Sequence, residues 1–188
     1  MQDRPRGHGA SYTLFETAIG PCGLAWTARG IVGFQLPEND AGRMRDRLAG
    51  CCPGIVEAPP PPEIQGIAAA VTAVLEGEAR DLSAVPLDLE GVTEFDRRVY
   101  AVARGIPPGR VFTYGEVASR VGIDNARAIG QSLGRNPIPV IVPCHRVVAA
   151  GSRLGGFSGH GGAATKRRLL AIEGARRDDS STLFDRIR

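Results

Sequence analysis

The sequence of 188 residues predicts an α/β (α+β) fold, built as a small sheet-and-helix domain followed by a mostly helical domain. Strand-type runs cluster near the N-terminus, whereas amphipathic helical patterns predominate in the second half. The charge also changes: residues 1–91 carry a net charge of −5, and residues 92–176 carry +8. We therefore divide the chain into an N-terminal α/β domain, 1–91, a C-terminal domain, 92–176, and a neutral tail, 177–188.

The composition excludes several classes of protein. Apolar residues make up 43% of the chain, which is enough for a packed core, so the chain is not disordered as a whole. No apolar run reaches the roughly 18 residues of a membrane-spanning helix. The N-terminal residues lack the apolar stretch of a secretory signal. We expect a cytoplasmic protein with no membrane partner.

The strands of the first domain are predicted from apolar runs and turn residues. Residues 12–18 and 24–36 have the composition of strands, and Arg29 and Gly30 provide a hairpin turn inside the second run. The proline-rich segment 53–62 is predicted to be a loop or an edge segment.

Two helices complete the first domain. Asn39 is a candidate N-cap for a short helix that ends at Leu48. The apolar positions of residues 63–77 repeat at helical spacing, which predicts an amphipathic helix. Residues 80–92 are expected to be an extended linker to the second domain.

The second domain contains a helix-turn-helix pattern. Thr113 and Glu116 form a capping box that opens a helix over 114–121. Asp124 is the candidate N-cap of the next helix, 125–134. The positive charge of the domain favours contact with a polyanion such as nucleic acid. An ordinary helical hairpin with a solvated basic face is the alternative interpretation.

The remaining elements surround a cysteine. Residues 140–142 are predicted to be a short buried strand that runs into Cys144 and His145. Residues 151–162 contain six glycines and form a flexible or closely packed loop. A final helix over 163–173 ends at Glu173.

The four cysteines do not form a metal site. Their spacing includes no Cys-x-x-Cys and no zinc ligand set, so Cys22, Cys51 and Cys52 are interpreted as structural or incidental. Cys144 is different because His145 follows it, and a nearby histidine can generate the reactive thiolate. Neighbours in an extended chain point to opposite faces, so a sharp turn or a bridging water is needed between them.

A third group is needed to orient the histidine. Glu173 is a candidate for that role. The alternative is a buried thiol that happens to lie beside a core histidine.

The string around the cysteine carries a resemblance. Asn136-Pro-Ile-Pro-Val-Ile-Val-Pro-Cys144-His-Arg-Val-Val148 closely resembles the active-site motif of the O6-alkylguanine-DNA alkyltransferases. The likeness continues in order over about 95–175 and is loose over 12–90. The flanking strings are Ile106-Pro-Pro-Gly-Arg-Val-Phe-Thr-Tyr-Gly-Glu-Val-Ala118, Ala126-Arg-Ala-Ile-Gly130, Gly156-Phe-Ser158 and Lys166-Arg-Arg-Leu-Leu-Ala-Ile-Glu-Gly174.

The resemblance implies a single-turnover DNA repair reaction. A relay of Glu173, His145 and a water would convert Cys144 to a thiolate, which takes the alkyl group from guanine O6. Tyr114 looks like the acid that protonates the departing guanine. The thioether is not hydrolysed, so each molecule acts once. No cofactor is required.

The resemblance also implies how DNA is bound. The partner is double-stranded DNA carrying O6-alkylguanine, with O4-alkylthymine as a further lesion, and the protein is expected to be a monomer. The damaged nucleotide must be flipped, and Arg127 looks like the side chain that takes its place. Other DNA contacts are implied for Ala126, Tyr114 and Arg135. The implied pocket residues are Asn136, Pro139, Val147, Phe157 and Ser158.

Some features depart from the family pattern. The loop from Phe157 to Lys166 is longer than is common in the family, and His160 within it is expected to be a solvated loop residue. His8 and Cys22 do not match the zinc ligands of some members, so no metal is expected. Two other functions fit parts of the sequence: a non-catalytic helix-turn-helix DNA-binding protein and a Cys-His hydrolase.

Overall fold

The computed structural model describes residues 9–38, 40–151 and 154–175 and has the expected mixed α/β fold. A four-stranded sheet in the order β3-β2-β1-β4 forms the first half, with two helices packed beside it. The bounds are β1 Ser11–Phe15, β2 Cys22–Thr27, β3 Gly30–Gln35, α1 Ala41–Cys51, β4 Val56–Glu57 and α2 Pro62–Leu75.

The predicted hairpin is confirmed as the β2–β3 pair. Thr27 pairs with Gly30 at its turn. Gly30 has φ 136°, and a Cβ there would lie 2.5 Å from the carbonyl oxygen of Pro86, so only glycine fits.

The proline-rich segment supplies the edge strand β4, which runs parallel to β1.

Three features of the first half differ from the prediction: the end of β1, the N-cap of α1 and the packing of the linker. β1 ends at Phe15 and does not continue to residue 18, because a turn begins there. Asn39 lies outside the described residues; the observed cap of α1 is Asp40, whose carboxylate accepts a hydrogen bond from the amide of Arg43. The expected linker packs along β3, where Ile31 exchanges backbone hydrogen bonds with Pro86 and Asp88.

The second half is mostly helical, as predicted. Its elements are α3 Glu94–Arg104, β5 Phe112–Thr113, α4 Tyr114–Val121, α5 Ala126–Gly134, a 3₁₀ turn Cys144–Arg146, β6 Val147–Val148 and α6 Gly162–Ile172. The capping box of Thr113 and Glu116 is confirmed. The predicted cap of α5 is wrong by one residue: Asn125, not Asp124, accepts the hydrogen bond from the amide of Ala128, at 3.0 Å.

The predicted strand at 140–142 is wrong. This segment is a tight buried turn, in which Val140 has φ 72° and the amide of Val142 donates to the carbonyl of Ile138 at 2.8 Å. Asn136 holds the turn with both ends of its amide, donating to the Val142 carbonyl and accepting from the Ile138 amide. The apolar run reflects burial of the turn, which periodicity alone cannot distinguish from a buried strand.

The two halves share one hydrophobic core. Leu24 and Phe34 of the sheet and Val71 of α2 belong to the same buried cluster as Ile129 of α5 and Val142. The turn that precedes Cys144 is therefore packed between the sheet domain and the helix-turn-helix. Among the described residues, no helix is long and apolar enough to span a membrane.

Candidate active site

Cys144 is the first residue of the 3₁₀ turn and separates two cavities. The larger, about 630 Å³, is open toward α5 and is lined by Tyr114, Ala126 and Arg127 among others. The smaller, about 220 Å³, extends toward the sheet domain and is lined by Asn136 and Pro139 among others. The cysteine is only 6% exposed, so a reactant reaches it through a cavity and not from the open surface.

The 3₁₀ turn is the sharp turn that the Cys-His sequence requires. It directs the buried His145 ring to Glu173, whose Oε1 lies 3.0 Å from His145 Nε2. The same carboxylate accepts hydrogen bonds from Arg146 Nε and Nη2 at 3.0 and 2.8 Å. Arg146 also donates to the carbonyl of Ile106. The structure thus brings together His145 and Glu173, which are distant in sequence.

The charges of this cluster follow from burial and pairing. Burial opposes ionisation of Glu173, but hydrogen bonds from His145 and Arg146 and the positive charge of Arg146 outweigh it and lower the pKa of Glu173 to about 2. Burial lowers the pKa of His145, against the raising effect of Glu173. At neutral pH the arrangement is a carboxylate beside a neutral imidazole, which is able to accept a proton.

One of the two ring nitrogens of His145 does not contact Glu173. Among the described residues, Nδ1 is buried with no hydrogen-bond partner. Since an ionised carboxylate only accepts, the proton of the ring lies on Nε2 and the lone pair lies on Nδ1. An unpaired buried acceptor is costly, and it is the atom expected to receive a proton.

The sequence predicted no role for Lys166. It is fully buried, and its Nζ donates to the carbonyls of Val147 and Gly156 at 2.6 and 3.1 Å. Burial lowers the pKa of Lys166 to about 8, against the raising effect of a negative charge on Cys144 when its thiolate forms. The available signal was its position: the only lysine of the chain lies on the apolar face of α6, three and four residues before Leu169 and Leu170.

The thiol of Cys144 is not ionised by its surroundings. Burial raises its pKa, while a hydrogen bond from Asn136 and the charge of Lys166 lower it. A base is therefore needed to generate the thiolate.

The segment Gly155–His160 covers the cysteine, and we call it the lid. Phe157 and Ser158, which were predicted to be pocket residues, line both cavities. The Tyr114 hydroxyl donates to the carbonyl of Gly156 at 3.3 Å. Burial raises the pKa of Tyr114, and a negative charge on the Cys144 thiolate raises it further, so its hydroxyl keeps its proton.

The structure places Val147, an expected pocket residue, and His160, an expected loop residue, differently from the prediction. Val147 is buried beneath the site and lines neither cavity, and its contribution is the carbonyl that accepts from Lys166. His160 was predicted to be a solvated loop residue, which is wrong: its ring is partly buried, with Nδ1 3.0 Å from Glu38.

The predicted DNA-binding residues differ in whether their side chains are already paired within the protein. Ala126 and Arg127 are exposed in the first turn of α5, and Arg127 makes no hydrogen bond or ion pair within the described part of the chain. Arg135 instead donates to both oxygens of Asp96, although 57% of its side chain is exposed. A DNA contact by Arg135 would have to use donors that Asp96 leaves free.

The geometry defines a class of protein. A buried Cys-His-Glu arrangement opens beside the exposed N-terminus of the second helix of a helix-turn-helix. Within the described ranges, no cluster of three or more His, Cys, Asp or Glu side chains could hold a metal ion. A cysteine followed by a buried His-Glu pair, next to a helix-turn-helix, is the arrangement expected of a protein that acts on DNA with a cysteine nucleophile.

Comparison with known proteins supplies the family. Residues 94–175 match the family described as 6-O-methylguanine DNA methyltransferase, DNA binding domain. A methylated-DNA–protein-cysteine methyltransferase of Mycobacterium tuberculosis is 35% identical over 175 residues, covering 93% of this chain and 98% of the relative. One from Methanothermobacter thermautotrophicus is 34% identical over 152 residues, covering 81% and 78%.

Solved structures of the same family are similar to this chain. The crystal structure of Mycobacterium tuberculosis OGT in complex with DNA has a TM-score of 0.71 and 33% identity, covering 93% of this chain and 99% of that one. The O6-methylguanine-DNA methyltransferase of Pyrococcus kodakaraensis has a TM-score of 0.68 and 28% identity, covering 88% and 99%. The chain belongs to the methylated-DNA–protein-cysteine methyltransferase family. These comparisons give no support to a non-catalytic DNA-binding function.

Proposed function

We propose that this protein repairs DNA by transferring the alkyl group from O6 of guanine to the sulfur of its own Cys144. The relatives named above are methyltransferases of this kind. The observation that carries the assignment to Cys144 is its position between a cavity beside α5 and the buried His145–Glu173 pair. A non-catalytic DNA-binding protein would not need the buried groups of Cys144, His145 and Glu173.

The proton transfers follow from the protonation states. His145 Nδ1 takes the thiol proton of Cys144, through a water as the sequence motif implies. Glu173 stabilises the resulting imidazolium. The thiolate then attacks the alkyl carbon, so an S–C bond forms while the C–O6 bond breaks.

The departing guanine needs a proton. The bond electrons move onto the purine, which leaves more readily when it is protonated. Tyr114 is the proposed donor because it lines the cavity and its phenol is protonated at neutral pH. Lys166 adds a buried positive charge that stabilises the thiolate before attack.

DNA binding is assigned to the helix-turn-helix. The N-terminus of α5 offers the positive end of a helix dipole, and the small side chain of Ala126 permits close approach to a phosphate backbone. Arg127 enters the base stack when the damaged nucleotide moves into the larger cavity. We propose that the protein acts in the cytoplasm as a monomer on double-stranded DNA.

The test is the mass of the intact protein after incubation with a duplex that carries one O6-methylguanine. We expect the gain of one methyl group per molecule, and peptide mapping should find it on Cys144. Cys22 is an internal control, since burial raises its pKa to about 12 and keeps it a thiol. Cys144→Ala should abolish transfer and retain DNA binding. Methylation of Cys22, Cys51 or Cys52 in place of Cys144 would overturn the assignment.

A further inference from the structure

The lid is held from two directions. At its N-terminal end, the carbonyl of Gly156 accepts hydrogen bonds from Tyr114 and Lys166, both of the helix-turn-helix domain. At its C-terminal end, His160 reaches the sheet domain, where its Nδ1 lies 3.0 Å from Oε2 of Glu38. Phe157 and Ser158, which line both cavities at Cys144, lie between these two attachments.

Glu38 is not an ordinary surface acid. Its side chain is only 3% exposed, although it follows the end of β3 in a connecting segment. Gln35 Nε2 donates to its Oε1 at 3.1 Å, and Arg47 Nε of α1 lies 3.4 Å from the same oxygen. His160 is the group that faces the other oxygen. A buried carboxylate needs such partners, because an unpaired one is expensive to bury.

The backbone of the lid is also fitted against the sheet domain. A Cβ on Gly159 would lie 2.5 Å from the Phe157 ring and 3.0 Å from a methyl group of Leu36. The carbonyl of His160 accepts a hydrogen bond from the Thr165 hydroxyl at 2.6 Å. Because Gly159 precedes His160 and packs against the Phe157 ring, displacement of His160 would disturb the position of Phe157.

We propose that Glu38 and His160 are positioning residues for alkyl transfer, and that their contact holds the lid so that Phe157 and Ser158 remain over Cys144. This rests on the proposed function, in which those two residues cover the alkylated guanine. Neither Glu38 nor His160 touches the reacting atoms. The sheet domain thereby contributes to the reaction rate without supplying a catalytic group.

Exposed ion pairs often contribute little, so the burial of Glu38 decides the expected size of the effect. Loss of one well-placed hydrogen bond to a charged group, together with misplacement of the pocket cover, should slow the reaction roughly tenfold. His160 lies in a loop and is partly exposed, so its replacement should not prevent folding.

The experiment measures single-turnover transfer from free O6-benzylguanine and from a methylated duplex, with hydrogen exchange of the lid amides. His160→Ala and Glu38→Gln should each slow transfer and increase exchange within Gly155–His160. The double variant should be no slower than the slower single variant, because both changes break one contact. His160→Lys, which again places a hydrogen-bond donor opposite the Glu38 carboxylate, should recover most of the rate.

Arg168→Ala is the matched control. Arg168 lies on the helix that follows the lid and donates to the carbonyls of Ala18 and Ile19, so it also bridges the two domains, with no hydrogen bond or ion pair to a described residue of the lid. Its rate and lid exchange should match wild type. Wild-type rates in His160→Ala, additive losses in the double variant, or equal losses in Arg168→Ala would each overturn the proposal. Failure of the wild-type protein itself to accept the alkyl group would instead refute the proposed function.

Discussion

Glu173 binds His145 and Arg146 with the same carboxylate: its Oε1 lies 3.0 Å from His145 Nε2 and 2.8 Å from Arg146 Nη2. The contact fixes the tautomer of the imidazole, because a carboxylate can only accept the Nε2 proton. The basic nitrogen is therefore Nδ1, which has no other partner in the described part of the chain. Arg146 keeps the carboxylate ionised, so the histidine retains its orientation while it is neutral.

Replacing this carboxylate should slow the chemistry and leave DNA binding intact. In Glu173→Gln the amide no longer favours a single tautomer or stabilises the imidazolium. We expect single-turnover transfer to fall by roughly 100-fold, the range typical of an impaired general base. Rapid-quench assays with a methylated duplex measure the rate, and the affinity for unmodified duplex is the control. An unchanged rate in both Glu173→Gln and His145→Gln would refute the relay.

The same carboxylate predicts sensitivity to acid. The folded pKa of Glu173, about 2, lies below its ordinary value of 4.5, so its ionisation stabilises the folded protein above pH 4.5. This contribution, on the order of 3 kcal/mol, is lost as the pH falls from 4.5 toward 2. His145, whose folded pKa is also lowered, adds to the loss below its ordinary 6.5.

Urea unfolding across this pH range provides the measurement. The stability difference between wild type and Glu173→Gln should be largest near pH 6 and should shrink toward pH 2. A difference that stays constant with pH would contradict the low pKa of Glu173.

The sequence predicted the chemistry better than the local backbone. Cys144 and His145 were found from a contiguous string. By contrast, the valines at 140 and 142 were assigned to a strand, because apolar content reports burial and not backbone direction. Val140 has a positive φ in a turn whose hydrogen bonds involve Asn136, which donates to the Val142 carbonyl, accepts from the Ile138 amide and lies outside that apolar run.

Other misses have a different physical origin. Lys166 and His160 owe their roles to partners that are distant in sequence, the carbonyl of Val147 and the carboxylate of Glu38. A lone lysine in a helix and a lone histidine in a glycine-rich loop normally face solvent, and only the tertiary structure shows that Lys166 is buried and that His160 contacts Glu38. The cap of α5 was missed because Asp124 and Asn125 are both good caps.

Lys166 should make the thiol of Cys144 more acidic. Lys166→Met keeps the length of the side chain and removes the charge, so the pKa of Cys144 should rise. Reaction with iodoacetamide as a function of pH measures this, and the midpoint should move to higher pH in the variant. Stability should also fall by about 1–3 kcal/mol, since the carbonyls of Val147 and Gly156 lose their donor. An unshifted midpoint would show that the lysine is only structural.

Binding to DNA should be electrostatic and nearly independent of sequence. The net charge of +8 over residues 92–176 predicts that affinity falls linearly with salt on logarithmic axes, with a slope set by the number of phosphates neutralised. Fluorescence anisotropy with unmodified duplexes of different sequence measures both properties. Arg127→Ala should reduce the slope by about one if that residue contacts a phosphate alone. Salt-independent affinity, or preference for one operator sequence, would contradict this prediction.

Arg127 is expected to stabilise the flipped nucleotide and to contribute more than its charge. Its side chain is exposed in the first turn of α5 beside the larger cavity, and the described part of the chain offers it no partner. Removing a base from the stack costs a few kcal/mol, and a planar guanidinium can offset this by stacking and by hydrogen bonding to the orphaned base.

The substitution Arg127→Lys distinguishes a phosphate contact from a stacking role for this side chain. Arg127→Lys keeps the charge, so a phosphate contact would survive the change, whereas a stacking role would not. We expect repair of a methylated duplex to slow well below wild type, and transfer from free O6-benzylguanine, which requires no flipping, to stay near the wild-type rate. Single-turnover rates on the two substrates give the comparison. Equal losses on both would indicate a damaged pocket, and full activity of Arg127→Lys on duplex would assign Arg127 to a phosphate.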